Sequence, residues 1–211
     1  MLLIDSTRKV EKKRKGIPKE LIYEMRYGKP IYYRDYDKVL KGELPLEAVM
    51  GSGYLQWKII SLILKFLFLN LSSKYDIATN EAGYKWAPKT WRNLDIAIFD
   101  KSKLEKEGLH TGYVKTPPEV VIEIDTKADL RKYGDFMNYA REKIDDLLNA
   151  GVNKIIWFTT FDKKVMIAEK NKPWLIDSWN IDIEISDGII LNLKKLIDEE
   201  NLEIGKEENN G

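Results

Sequence analysis

The sequence predicts an α/β protein built on one mixed sheet with helices on its faces. Three observations carry that expectation. Residues 55–71 repeat apolar side chains at helical spacing, with Leu55, Ile59, Leu62, Ile63, Phe66 and Leu67 on one face. Two short apolar runs, 94–99 and 119–125, are rich in β-branched residues, and the second follows Pro117-Pro118. The strand–helix–strand succession from 119 to 159 has the length of one crossover between parallel strands.

Taken in order, residues 1–18 read as a basic arm (Arg8, Lys9, Lys12, Lys13, Arg14, Lys15) ending near Gly16 and Pro18. A main domain is expected over 19–200 and an acidic tail over 201–211. Residues 19–27 are expected to form a short helix with Leu21, Ile22 and Met25 on one side, stopped by Gly28 and Pro30. After the helix at 55–71, a strand at 75–79 should turn at Gly83. The strands at 94–99 and 119–125 follow, joined by a lysine-rich loop. A second helix spans about 135–149, with Met137, Ala140, Ile144, Leu147 and Leu148 apolar, and stops before Gly151. Strands at 154–159 and 164–169 pair as a hairpin across Phe161-Asp162, and a last helix covers 191–199.

Composition excludes several chemistries. The chain has 211 residues, 44% of them hydrophobic, enough for a sizeable core. It has 35 Lys and Arg against 34 Asp and Glu, so attraction to nucleic acid must be local rather than global. No cysteine is present, which removes disulfides, thiolate nucleophiles and Cys-held zinc. His110, the single histidine, leaves no material for multi-His metal sites. No signal-peptide core follows Met1, and the apolar stretch 59–71 is broken by Ser61, Lys65 and Asn70. A soluble cytoplasmic protein without a membrane span is therefore expected.

The chemistry concentrates in two carboxylates. Asp95 and Glu123 each stand inside an apolar strand pattern where a hydrophobe is called for. Burying an unpaired carboxylate costs several kcal/mol, so such groups are paired, hydrogen-bonded or bound to metal. Strand alternation gives Glu119, Val121, Glu123 and Asp125 one face, so Glu123 and Asp125 should point together. If the strand of Asp95 lies alongside, carboxylate oxygens converge as hard cations such as Mg²⁺ or Mn²⁺ require. The alternative is that both acids sit at strand ends in water. The run Tyr84 to Arg92 mixes aromatics and cations, which suits either a nucleic-acid surface or ordinary packing.

Asn93-Leu94-Asp95, the stretch Pro117 to Asp125, Lys143, and Ala150-Gly151-Val152 leading to Trp157 together resemble the Uma-type restriction endonuclease family of the PD-(D/E)XK nuclease superfamily. Tyr23-Glu24-Met25 resembles its early Glu-containing segment. The resemblance covers about residues 20–200 and implies a restriction-endonuclease-like mixed sheet flanked by helices. It implies a divalent-metal-dependent endonuclease hydrolysing DNA, with Mg²⁺ or Mn²⁺ held by Asp95, Glu123 and a further acid, Asp125 or Glu24. Lys143 is implied as the lysine that positions or deprotonates the attacking water or neutralises developing charge, with Lys127 as a second candidate. A homodimer is implied by analogy. Two departures stand out: Asp125 occupies the position where the superfamily has a Lys, and Gln56 stands where the family has a His. The first keeps open a nuclease-like fold that binds nucleic acid or a protein without cutting.

Overall fold

The computed structural model describes residues 16–204; most of the basic arm (1–15) and the end of the acidic tail (205–211) lie outside the described residues. A 3-10 turn at Lys19–Leu21 opens into β1 (Ile22–Arg26), which folds back as β2 (Lys29–Tyr32). The helix expected at 19–27 is thus a hairpin. Tyr27 and Gly28 both take positive φ (45° and 78°), the two-residue turn that matches strand twist, and Tyr23, Glu24 and Ile31 are buried. Two short helices, α1 (Tyr36–Lys41) and α2 (Leu46–Met50), precede the long α3 (Tyr54–Asn70).

Strand β3 (Tyr75–Ala87) runs straight through Gly83, so the turn expected there is absent. A Cβ at Gly83 would come within 2.3 Å of the Tyr113 ring, so the glycine gives room for an aromatic rather than a bend. The hairpin turns instead at Lys89 (φ 51°) into β4 (Thr90–Asp100). The helix α4 (Lys101–Leu104), capped by Asp100, begins the lysine-rich connection to β5 (Val120–Ile124). Next come α5 (Phe136–Asn149), β6 (Lys154–Thr159), β7 (Lys164–Glu169), β8 (Leu175–Ser178), the small hairpin β9 (Ile183–Ser186) and β10 (Ile189–Leu191), and α6 (Leu193–Glu199).

The main sheet has eight strands in the order β2-β1-β4-β5-β6-β7-β8, with β3 on the other edge of β4. Only β5 and β6 pair in parallel, and α5 connects them, as the spacing predicted. On one face Val121, Ile155 and Trp157 pack under Tyr139, Ala140, Ile144 and Leu147 of α5. On the other, Ile96, Ile122, Ile156 and Phe158 pack under Ile59, Ile63 and Leu67 of α3 and Ile197 of α6. The result is a mixed sheet flanked by helices, a restriction-endonuclease-like α/β fold. Among the described residues, no helix is long and apolar enough to cross a membrane.

The inward face of α5 differs from expectation. Met137 is exposed, while Tyr139, Lys143 and Asp146 are buried. These three lie at i, i+4 and i+7, so one stripe of the helix carries polar groups into the sheet.

Helix α5 ends at Asn149, and Gly151 follows at φ 103° with its α-carbon facing the Pro117 ring. An added Cβ there meets Pro117 at 3.2 Å and a backbone conformation that L-residues avoid. Gly151→Ala is expected to lower unfolding stability by about 1–2 kcal/mol, measurable by urea denaturation with an unchanged m-value.

Candidate active site

Strands β4 and β5 pair through Ile96–Ile122, Ala97–Val121 and Ile98–Val120. Carried one step further, that register sets Asp95 opposite Glu123, and both side chains belong to the α5 face with Ala97 and Val121. The ladder ends there because Asp95 Oδ2 accepts the Ile124 backbone N–H at 2.8 Å. Across the sheet, Gln56 of α3 donates to the Ile124 carbonyl at 2.8 Å. The end of β5 is thus held from both sides. Asp95 and Glu123 are 8% and 1% exposed, so they are not strand-end acids in water.

Behind Glu123 lies a buried ion network. Lys143 Nζ sits 3.0 Å from Glu123 Oε2 and 2.9 Å from Glu24 Oε1, and it donates to the Asn93 carbonyl at 2.8 Å. Arg92 donates to Glu24 at 2.8 Å and to Asp146 at 2.6 Å, while Tyr139 donates to Glu24 at 2.8 Å. Arg26 closes the outer rim on Asp146 and Glu142. Lys143, Glu24 and Arg92 are wholly buried, so Lys143 is not a solvated cation on the helix flank. The sequence offered no sign of Arg92, a cation inside a strand whose partners come from 68 residues before and 54 residues after it.

The electrostatics separate these acids. Burial works to raise the Glu24 pKa, but Lys143 and Arg92 outweigh it and hold the group below its ordinary value. Burial favours a neutral Lys143, yet Glu123 and Glu24 outweigh that and hold its pKa above normal. A lysine so held cannot take a proton from water near neutral pH. For Asp95, burial dominates and pushes the carboxyl up to about 6 despite the Ile124 hydrogen bond and Lys143. Burial also pushes Glu123 well above the carboxylate range, and Asp95 adds to the shift. Lys143, which is shared with Glu24, opposes this shift without cancelling it. Glu123 Oε1 has no hydrogen-bond partner among the described residues.

These observations fit a divalent cation. Five acids (Glu24, Asp95, Glu123, Glu142, Asp146) meet three cations (Arg26, Arg92, Lys143), leaving a formal charge of −2 when all are ionised. Asp95 and Glu123 carry that excess, and hard oxygen ligands are what Mg²⁺ or Mn²⁺ requires. Among the described residues no three His, Asp or Glu side chains already converge as a metal cage.

Asp125 does not join Glu123. Its φ of 55° ends the strand alternation, and its carboxylate accepts from the Thr160 backbone and hydroxyl, both at 2.7 Å. It faces a cleft of about 900 Å³ on the α3 side, lined also by Arg34, Gln56, Lys58, Thr126 and Lys127. Neither Asp95 nor Glu123 lines this cleft, so the buried acids, not the cleft, mark the candidate site. Glu24 is enclosed by Arg92, Tyr139 and Lys143 and serves as their counter-ion.

Sequence reasoning also missed Glu81. Between the pairs Thr79–Ile96 and Ala82–Leu94, residues Asn80 and Glu81 bulge out opposite Asp95, with φ of 63° and 55°. The bulge sends the Glu81 carboxylate to Lys127 Nζ and to the Tyr33 hydroxyl, 3.2 Å away. Left-handed backbone at a residue such as Glu costs about 1–2 kcal/mol, more than a partly exposed ion pair of about 0–1 kcal/mol returns. By contrast, His110 serves only its own loop, bonded to Glu107 and Gly112. In the Tyr84–Arg92 run, Tyr84 and Arg92 are buried and Trp91 lies edge-on to Tyr113, which is packing.

No family model and no curated protein matches the chain. Among solved structures it is similar to a protein from Anabaena variabilis described as "a putative nuclease belonging to DUF820". The TM-score is 0.55 at 14% identity, over 83% of this chain and 89% of that one. The likeness is one of fold, and it sets the chain among nuclease-like α/β architectures.

Two substitutions separate the roles. Below pH about 4 Asp95 is protonated folded and unfolded, so its burial costs nothing extra; as pH rises from 4 to 6 the unfolded chain ionises first and stability falls. Asp95→Asn is expected to raise the stability of the metal-free protein at pH 7 by on the order of 2–3 kcal/mol, a gain that vanishes below pH 4 in denaturation curves. Lys143→Met strands Glu24 and Glu123 in the core and is expected to destabilise by about 3–5 kcal/mol in the same assay.

Proposed function

We propose that the protein is a divalent-metal-dependent endonuclease that hydrolyses DNA phosphodiester bonds. One observation carries the reading: Asp95 and Glu123 stand one residue beyond the β4–β5 ladder on the same sheet face, buried, short of countercharge, with Glu123 Oε1 unpartnered. Fold likeness to the Anabaena variabilis protein supports it. Asp95 and Glu123 would hold the cation, which would supply Lewis-acid polarisation of the phosphate and activate water.

The chain's own residues do the rest. Lys143 stays protonated and fixes Glu123 Oε2, leaving Oε1 free for the cation. Glu24 and Arg92 fix Lys143 in turn. The Ile124 N–H orients Asp95. Arg34 and Lys58 line the adjoining cleft and offer countercharge to a phosphate backbone. Water adds to phosphorus as the bridging P–O bond breaks, and the proton that the water gives up balances the one the leaving oxygen takes from solvent.

A specific observation also favours the second reading, a nuclease-like fold that binds nucleic acid or protein without cutting. Asp125 stands in the superfamily's lysine position, and Lys143 has no exposed surface with which to reach a substrate.

Purified protein is expected to cleave supercoiled plasmid or single-stranded DNA with Mn²⁺ and not with EDTA, and Glu123→Gln is expected to lose at least 100-fold in rate, an order-of-magnitude figure for removing one charge-stabilising group. Full activity in Glu123→Gln sinks the site assignment. Absent cleavage combined with metal-independent DNA binding in a gel-shift assay supports the second reading instead.

A further inference from the structure

The bulge at Asn80-Glu81 is unusual in its placement. β3 leaves its register with β4 twice, near Trp86 beside the hairpin turn and at Asn80-Glu81 opposite Asp95. Thr79 Oγ1 donates to the Asp95 carbonyl at 2.9 Å, so the strand is anchored to the Asp95 backbone just before it leaves register. Bulges beside active sites re-aim a side chain that a regular strand would point elsewhere. Here the redirected side chain is a carboxylate, and its strained backbone is not compensated by the partly exposed ion pair it makes.

Lys127 completes the arrangement. Its backbone is pinned by the Arg34 N–H donating to its carbonyl at 2.7 Å, and the next turn by Asp129 N–H to the Tyr32 carbonyl at 2.9 Å. The ammonium is therefore delivered to one place, on Glu81 Oε1. The Glu81–Lys127 ion pair thus stands at the bulge that faces Asp95 in the strand register. Glu123 Oε1, buried and without a hydrogen-bond partner among the described residues, is the second observation that calls for a cation here.

We propose that Glu81 is the third carboxylate of the Asp95–Glu123 cation site, presented by the bulge and masked by Lys127 until a divalent cation displaces the ammonium. This rests on the reading of Asp95 and Glu123 as cation ligands. The displaced Lys127 is then free to face the adjoining cleft, which it already lines. Glu81 acts through a rotation of its own side chain, with no change of backbone, because the bulge already sets it opposite Asp95 in the strand register.

The test is Mn²⁺ binding to the full chain by titration calorimetry, with free Mn²⁺ followed by electron paramagnetic resonance. Native protein, Glu81→Gln, Lys127→Gln, Asp95→Asn and Glu123→Gln are compared, each checked by its melting curve. Glu81→Gln is expected to weaken Mn²⁺ about tenfold, and Lys127→Gln to bind Mn²⁺ at least as tightly as the native chain. Loss of binding in Asp95→Asn and Glu123→Gln with a change under threefold in Glu81→Gln overturns this proposal alone. Weaker binding in Lys127→Gln overturns the masking role. Binding that is absent in the native protein, or unchanged in Asp95→Asn and Glu123→Gln, overturns the underlying site and the proposal with it.

Discussion

One ammonium group organises the centre of this molecule. Lys143 Nζ, wholly buried, joins Glu24 from β1, Glu123 from β5 and the Asn93 carbonyl from β4, and so ties α5 to three strands at a single point. Removing three charged groups from water is expensive, and hydrophobic packing could hold these elements more cheaply. The ring faces of Trp157 and Tyr23, 5.5 and 5.9 Å from Nζ, favour the charge but do not offset its dehydration. An expensive charge cluster at the place where two acids lack countercharge is the physical ground of the proposed cation site.

The strand geometry explains why the acids meet there. β4 is bordered by β1 near its start and by β5 further along, so Asp95 lies where one neighbour gives way to the next. The gap leaves a backbone N–H of β5 to be taken by the Asp95 side chain, and it gives the bulge of β3 an acid to face. Helix α5 then presents Tyr139, Lys143 and Asp146 along one stripe into the same gap. Local irregularities in three elements thus converge on one spot, as expected where function competes with regular packing.

Much of this was legible in the sequence. Period-3.6 and β-branched patterns located α3, α5, β5, β6 and β7, because those elements bury contiguous apolar faces. Asp95 and Glu123 stood out because an acid breaks such a pattern visibly. The β1–β2 hairpin was misread as a helix, since Leu21, Ile22 and Met25 satisfy helical spacing and the Tyr27-Gly28 turn shows only one glycine. Asp125 was expected beside Glu123 because alternation says nothing of a left-handed residue that ends a strand. Arg92, Asp146 and Glu81 were invisible for another reason. Their partners are distant in sequence, and charged residues in a chain with 33% charge carry no mark of burial.

The central claim is that Asp95 and Glu123 share one divalent cation. Crystals soaked in Mn²⁺ and measured for anomalous scattering test it most directly. The account predicts a peak in contact with Glu123 Oε1 and the Asp95 carboxylate, lost in crystals of Glu123→Gln. A Mn²⁺ peak elsewhere on the protein, with these two side chains still as they are described, would contradict it.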